Sequence, residues 1–282
     1  MDPPLLNGSG VVDAVSRDEG WNLPDRDLSK LGGFVTKTLT REPRDGNPQP
    51  WAEAIAPGTL INAAGLPNPG IHGAMREWSG LGHRLAGRPI IVSIGGDPAL
   101  LGELAELVEA AGWAAALELN LSCPNVDGGL VASDPRAVAQ AVARVRARSS
   151  LPIFAKLTPA CGAAGQVARA AVDAGADALT CGNTMPIRAR GDDGCDLLGA
   201  GPHGGMSGAG LHPIVLRLVA EVRAAVDVPI VGLGGVDGIA AAERMLGAGA
   251  DIVGIGTGAV LDPELVGGLA AYLRGPDGQA AR

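Results

Sequence analysis

The chain has 282 residues, 46% hydrophobic and 18% charged, which supplies a sizeable core and excludes a disordered composition. Its net charge of −8 argues against nucleic acid or an anionic membrane surface as the main partner, while backbone N–H groups could still hold an anionic ligand. Aromatic residues make up only 2%, so the core has to be built from Ala, Val, Leu and Ile.

Short apolar runs alternate with helical patterns from end to end. The runs are Leu5 to Asn7, Gly33 to Lys37, Pro89 to Ile94, Ala116 to Leu121, Pro152 to Leu157, Ala178 to Cys181, Pro229 to Leu233 and Asp251 to Ile255. Most are apolar on consecutive positions, as expected of strands covered on both faces. Leu100, Leu101, Leu104, Leu107, Val108 and Ala111 mark one helical stripe; Val138, Ala141, Val142 and Val145 mark another. Ile214, Leu218, Val222 and Val226 continue the spacing. A small repeat, Ala110 to Gly112, Asp173 to Asp177 and Gly247 to Asp251, closes a helix before a strand each time, with glycine suited to a left-handed cap. Eight strands alternating with helices predict a single-domain (β/α)8 TIM barrel over residues 1–282, with a doubly wound sheet as the runner-up. The stretch from Thr38 to Ser79 is too long for an ordinary connection and is expected to carry a functional loop.

The cysteines, at 123, 161, 181 and 195, form no CxxC pair, so neither a zinc or iron–sulfur pattern nor a disulfide framework is expected. Met1 to Pro4 lacks the basic start of a signal peptide, and no apolar stretch reaches membrane-spanning length without Gly, Pro or charge. A cytoplasmic, reducing location is the expectation, with no membrane association. The histidines, at 72, 83, 203 and 212, have no paired metal spacing and read as loop residues; no metal is expected.

In a parallel α/β fold, chemistry is placed at the carboxyl ends of the strands. The run ending in Asn120-Leu121-Ser122-Cys123-Pro124-Asn125 puts a thiol between two carboxamides there, because Pro124 stops the ladder. Cys123 alone reads more readily as a small buried hydrophobe. Its surroundings shift the balance. Gly232 to Val236 and Gly254 to Gly258 are glycine-rich turns on the last two strands, where barrels often cradle phosphate; tight turns are the plainer reading. Lys37 and Lys156 end runs that otherwise look buried, which is costly unless each meets a ligand or a carboxylate. Asn183-Thr184 ends the sixth run, and Asn62 follows an apolar run in the long second connection. Asn68 reads as a turn residue.

Segments over nearly the whole chain resemble the dihydroorotate dehydrogenase family, class 1 in particular. They are Asn7 to Gly10, Val35 to Thr38, Gly46 to Pro48, Asn62 to Gly70, Asn120 to Asn125, Lys156 to Pro159, Asn183-Thr184, Gly204 to Gly208, Gly234-Gly235 and Gly256-Thr257. The cysteine of Ser122-Cys123-Pro124-Asn125 is the class 1 signature; class 2 enzymes carry serine there and a membrane-associating extension. The resemblance implies FMN in the barrel mouth, touching Gly8, Ser9, Lys37, Thr38, Asn120, Lys156 and Gly208, with its phosphate on Gly234, Gly235, Gly256 and Thr257. It implies that Lys37, Asn62, Gly65, Leu66, Asn120, Asn125, Asn183 and Thr184 hold dihydroorotate or orotate. It makes Cys123 the base at C5, with Lys37 and Lys156 as the cations of the reaction.

The sequence around Cys123 to Gly129 and Gly65 to Gly70 is similar to class 1B, which passes electrons to NAD through an iron–sulfur flavoprotein subunit; class 1A uses fumarate. A homodimer or heterotetramer in pyrimidine biosynthesis follows from that likeness. The chain departs from the usual class 1 pattern by starting almost at the first barrel strand, without a further hairpin, and by its short C-terminus; this implies a misplaced gene start or an open barrel floor. Two other readings remain open. One is a related flavin barrel acting on another dihydropyrimidine, although such enzymes usually carry histidine where Asn125 stands. The other is a flavin-free barrel binding a phosphorylated ligand.

Overall fold

A computed structural model describes residues 1–11, 28–78, 80–121, 131–262 and 264–275. Eight parallel strands are β1 (Leu5–Asn7), β2 (Phe34–Val35), β5 (Ile90–Gly95), β6 (Ala116–Asn120), β7 (Ile153–Leu157), β8 (Ala178–Cys181), β11 (Ile230–Leu233) and β12 (Ile252–Ile255). They are hydrogen-bonded in the order β1-β12-β11-β8-β7-β6-β5-β2. A parallel bridge between Leu6 and Gly33 brings the two ends together, so the sheet is a nearly closed (β/α)8 barrel and the open, doubly wound alternative falls. These strands coincide with the eight apolar runs of the sequence.

The remaining strands form a second sheet that the hydrophobic patterning does not announce. β3 (Ala52–Ala56) and β4 (Thr59–Asn62) follow β2, and β9 (Met185–Arg188) and β10 (His203–Gly208) follow β8. They pair antiparallel in the order β3-β4-β10-β9. The long connection after Thr38 therefore contains two strands and the helix α1 (Gly70–Glu77) as well as the expected loop.

Helices α2 (Leu81–Arg84), α3 (Leu101–Ala111), α4 (Pro135–Arg146), α5 (Ala164–Asp173), α6 (His212–Arg223), α7 (Ile239–Gly247), α8 (Thr257–Leu261) and α9 (Leu265–Arg274) complete the described elements. α4 shows why such segments are helical. Asp134 accepts from the N–H of Arg136 at 2.9 Å and Pro135 opens the first turn, while Val138, Ala141, Val142 and Val145 are buried as one stripe. Gly112, at φ 75°, ends α3 in the left-handed conformation. The four histidines do not lie in loops: His72 is in α1, His83 in α2, His203 begins β10 and His212 begins α6. No helix among the described residues is long and apolar enough to cross a membrane.

The helix–sheet interface is one continuous aliphatic core, and a smaller cluster of Leu6, Val35, Ile91, Ala116, Val231, Phe154 and Ile252 fills the barrel. Because strand side chains alternate, the residues two positions further along the strands rise toward the carboxyl end. At the opposite end the barrel is clamped twice by the same device. Asp177 accepts from Arg146 at 3.0 Å and from the N–H of Ile153 at 2.8 Å; Asp251 accepts from Arg223 at 2.7 Å and from the N–H of Ile230 at 2.8 Å.

Cysteine reactivity follows from this packing. Cys161 and Cys181 are buried and Cys195 is exposed, and burial pushes the Cys181 thiol up to about 12. In the native protein at neutral pH a thiol reagent should therefore modify Cys195 and spare Cys161 and Cys181 until the chain is unfolded. Peptide mapping of the labelled protein checks this, and equal labelling of all three would contradict the packing.

Candidate active site

Above the aliphatic layer of the barrel, the interior turns polar. Ser93 of β5, Glu118 of β6, Lys156 of β7 and Thr180 of β8 are all buried. Glu118 lies 3.5 Å from the Lys156 ammonium, with the two side chains 3% and 5% exposed. Its Oε1 also accepts from Ser93 Oγ at 3.2 Å and its Oε2 from Thr180 Oγ1 at 3.1 Å. Lys156 thus meets the carboxylate that a buried lysine requires, and that carboxylate is held by three donors.

One step nearer the mouth, Asn120 donates from Nδ2 to Thr38 Oγ1 at 3.0 Å, and Thr38 Oγ1 is 3.0 Å from Ser93 Oγ and 3.1 Å from Ser9 Oγ. Asn120 Oδ1 is buried and has no hydrogen-bond partner among the described residues. A buried acceptor left in this state is suited to an N–H group of a ligand.

Ser9, Thr38, Asn120 and Lys156 line a cleft of about 1470 Å³ at the carboxyl ends of the barrel strands, with Ser93, Glu118 and Thr180 buried behind them. That volume accommodates a ligand of cofactor size together with a smaller one. On one side the cleft is lined by Gly8, Gly208, Gly234, Gly235, Gly256 and Thr257. Gly235, at φ 66°, is held where a Cβ would come within 2.7 Å of His212 Cβ and 2.9 Å of Gly208 O, so only glycine fits. Gly256 differs. A Cβ there would meet nothing closer than 3.9 Å, so that position opens onto the cleft. Thr257, the first residue of α8, donates to Ser207 Oγ at 2.8 Å and ties this end to β10.

The opposite wall is built by the second sheet. Gly205 of β10 is in register with Asn62 of β4, whose Nδ2 lies 3.4 Å from the Gly205 carbonyl. Thr184 packs so closely on Gly205 that a Cβ there would fall 2.1 Å from Thr184 Oγ1. Asn183 accepts from the N–H of Thr184 at 2.8 Å. Gly65 and Leu66 follow, with Leu66 held at φ 57°, a strained conformation for a branched side chain. Asn68, read from the sequence as a turn residue, donates to the Leu66 carbonyl at 2.8 Å and to Thr40 Oγ1 at 2.9 Å, and accepts from the N–H of Gly70 at 2.9 Å. Asn47 braces the same loop through Ala63 O at 2.9 Å. Lys37 also lines the cleft, its chain crossing Gly10 where a Cβ would lie 2.9 Å from Nζ.

Outside residues 122–130, every position singled out from the sequence as a site residue lines this one cleft. Cys123 and Asn125 lie outside the described residues. The sequence reading missed Glu118, Ser93 and Thr180, having taken the β6 run as uniformly apolar. A signal was present: Ser93, Glu118, Lys156 and Thr180 each stand at the inward-facing register near a strand end, two residues above Ile91, Ala116, Phe154 and Ala178.

The family model described as dihydroorotate dehydrogenase matches residues 2–269 of the chain. Among the similar curated proteins is "Dihydroorotate dehydrogenase B (NAD(+)), catalytic subunit" of Desulforudis audaxviator, 37% identical over 275 residues, covering 96% of this chain and 87% of that protein. The subunit of the same name from Geotalea uraniireducens is 38% identical over 254 residues, 88% of this chain and 83% of the relative. That of Streptococcus pneumoniae strain R6 is 37% identical over 256 residues, 84% and 78% of the two chains.

Proposed function

The chain belongs to the dihydroorotate dehydrogenase family, and from that premise we propose that it is the catalytic subunit of a class 1B enzyme, oxidising dihydroorotate to orotate in pyrimidine biosynthesis with FMN as cofactor. The observation that carries the reading is the single cleft that joins a glycine-lined end, two lysines and a wall of carboxamides.

The cleft fits FMN on features of its own. A flavin ring edge alternates carbonyl oxygens with N–H groups, and the cleft offers a buried ammonium on Lys156 beside an unpartnered buried acceptor on Asn120. At the other end, Gly256 leaves open the space that a side chain would fill. Gly234, Gly235, Gly256 and Thr257 would hold the phosphate, and Gly8, Ser9, Lys37, Thr38, Asn120, Lys156 and Gly208 the remainder. When bound, FMN supplies the acceptor for the hydride that leaves C6 of the substrate.

The chain's own residues perform the rest. Cys123, three residues beyond the end of β6, takes the proton from C5 as its thiolate, and the pair of electrons left behind forms the C5–C6 double bond of orotate. Lys37, Asn62, Gly65, Leu66, Asn120, Asn125, Asn183 and Thr184 hold the ring and carboxylate of the substrate so that both bonds break in one geometry. Lys37 and Lys156 provide positive field where negative charge accumulates. The test is spectroscopic. The purified protein should be yellow, with the absorbance of oxidised flavin, and anaerobic dihydroorotate should bleach it. A colourless protein, or a yellow one that dihydroorotate leaves unbleached while dihydrouracil bleaches it, would overturn the assignment.

The relatives are catalytic subunits of NAD(+)-linked enzymes, and this chain carries no NAD fingerprint and no paired cysteines. Electrons therefore pass from the flavin to NAD through a separate electron-transfer subunit. The chain alone is expected to reduce an artificial dye with dihydroorotate but not NAD, in a steady-state assay with each acceptor. Rapid NAD reduction by the chain alone would remove the need for a partner, and efficient fumarate turnover would point to class 1A.

A further inference from the structure

Among the described residues, the mechanism above leaves the buried Glu118 without a role. We propose that Glu118 is a positioning residue, setting both the charge beside the flavin ring and the direction in which Asn120 faces the ligand; this rests on the FMN reading of the cleft.

The direction follows from counting protons along the hydrogen bonds. An ionised carboxylate can only accept, so the one proton of Ser93 Oγ is committed to Glu118 Oε1. Ser93 Oγ then has no proton for Thr38 Oγ1 at 3.0 Å, and Ser9 Oγ, 3.1 Å from Thr38 Oγ1, gives its own to Thr36 O at 2.8 Å, so Thr38 donates to one of these two oxygens. With its only proton spent, Thr38 Oγ1 accepts from Asn120, which must turn Nδ2 inward. Oδ1 is left as the buried, unpartnered atom, presented as an acceptor to a ligand N–H. Were Glu118 neutral or amidated, the same chain of hydroxyls could run the other way, and Asn120 could turn its oxygen to Thr38. By taking the Ser93 proton, the carboxylate helps, with Ser9, to fix the orientation of a carboxamide it does not touch.

The charge follows from the ion pair. Lys156 lines the cleft, and Glu118, 3.5 Å from its ammonium and 3% exposed, cancels part of its field. A reduced flavin carries more negative charge than an oxidised one, so it responds to the net charge of the pair and not to Lys156 alone. Glu118 accordingly holds the flavin potential below the value that an unopposed lysine would give. A buried ion pair of this kind contributes little net stability.

The test uses the FMN-loaded protein and two variants. Glu118→Gln preserves shape and removes the charge. Its flavin midpoint potential, measured by anaerobic titration with reference dyes, should rise by about 30 mV or more, the equivalent of a tenfold change for a two-electron couple. Its orotate affinity, read from the flavin spectral shift, should fall about tenfold. Ser93→Ala keeps the ion pair and cuts only the hydroxyl chain. It should weaken orotate about three- to tenfold, the range expected for one ordered hydrogen bond, without moving the potential. An unchanged or lowered potential in Glu118→Gln overturns the charge role. Unchanged orotate affinity in Ser93→Ala overturns the orienting role, and that variant decides the orienting role should Glu118→Gln fail to yield folded protein. Asp251→Asn, which breaks a clamp at the far end of the barrel, should leave both readouts unmoved, and a comparable shift there would reduce Glu118 to a packing role. A wild-type protein that takes up no FMN overturns the function itself, whereas wild-type behaviour of both variants in a yellow, dihydroorotate-reducible protein overturns only the proposal.

Discussion

Replacing Cys123 with serine is expected to slow reduction of the bound flavin by dihydroorotate about 10²–10⁴-fold near neutral pH, while FMN and orotate still bind. Serine is close to cysteine in shape and far less acidic, so the substitution removes the base and little else. The wild-type reductive rate should rise with pH as the thiol ionises, and this limb should move to much higher pH in the variant. Cys181 does not confuse the assignment: burial holds its thiol at about 12, so it stays protonated throughout the range in which the limb is measured. Asn120→Ala should behave differently, weakening orotate as well as slowing reduction, because it deletes a ligand contact. Anaerobic stopped-flow across a pH series separates the two patterns. Wild-type reduction by Cys123→Ala would mean that the cysteine only packs.

Gly256→Asp should give folded but colourless protein. The position has open space around a would-be Cβ, so the new side chain has room, and that room is the end of the cleft assigned to phosphate. Two unit charges about 4 Å apart repel by about 4 kcal/mol at an effective dielectric constant near 20. That corresponds to a loss of affinity on the order of 10³-fold. Absorbance at flavin wavelengths gives occupancy, and circular dichroism checks the fold. Full occupancy in the variant would move the phosphate elsewhere. Substitution at Gly235 would be a poorer experiment, since a side chain there collides with His212 and disturbs the turn itself.

The barrel was legible because its strands are covered on both faces and so read as unbroken apolar runs between helical stripes. The second sheet was not. β3 exposes most of its Ala52–Ala56 face, β9 contains Pro186, and β10 includes three glycines, Gly204, Gly205 and Gly208, without an alternating apolar pattern. What joins the two hairpin-like pairs into one sheet is the pairing of β4 with β10 across a large sequence separation, and such context is not written locally. The candidate site was legible wherever a residue was costly or out of place in its run: a lysine before Thr158-Pro159, a thiol before proline, glycines paired on the last strands. Glu118 escaped because one acid inside an apolar strand looks like an exception, and only the register of β5 to β8 shows that it belongs to a ring of polar side chains.

The pairing of β4 with β10 has a consequence for redesign. Asn62 and Gly205 come from segments that are remote in the chain yet share one register, so the wall they form is inherited as a unit. A chimera that imports only the first of these segments from an enzyme of different selectivity would bring strands cut for another mate. Both grafts have to be exchanged together, and the barrel beneath, clamped at its far end by Arg146–Asp177 and Arg223–Asp251, can serve as the constant chassis.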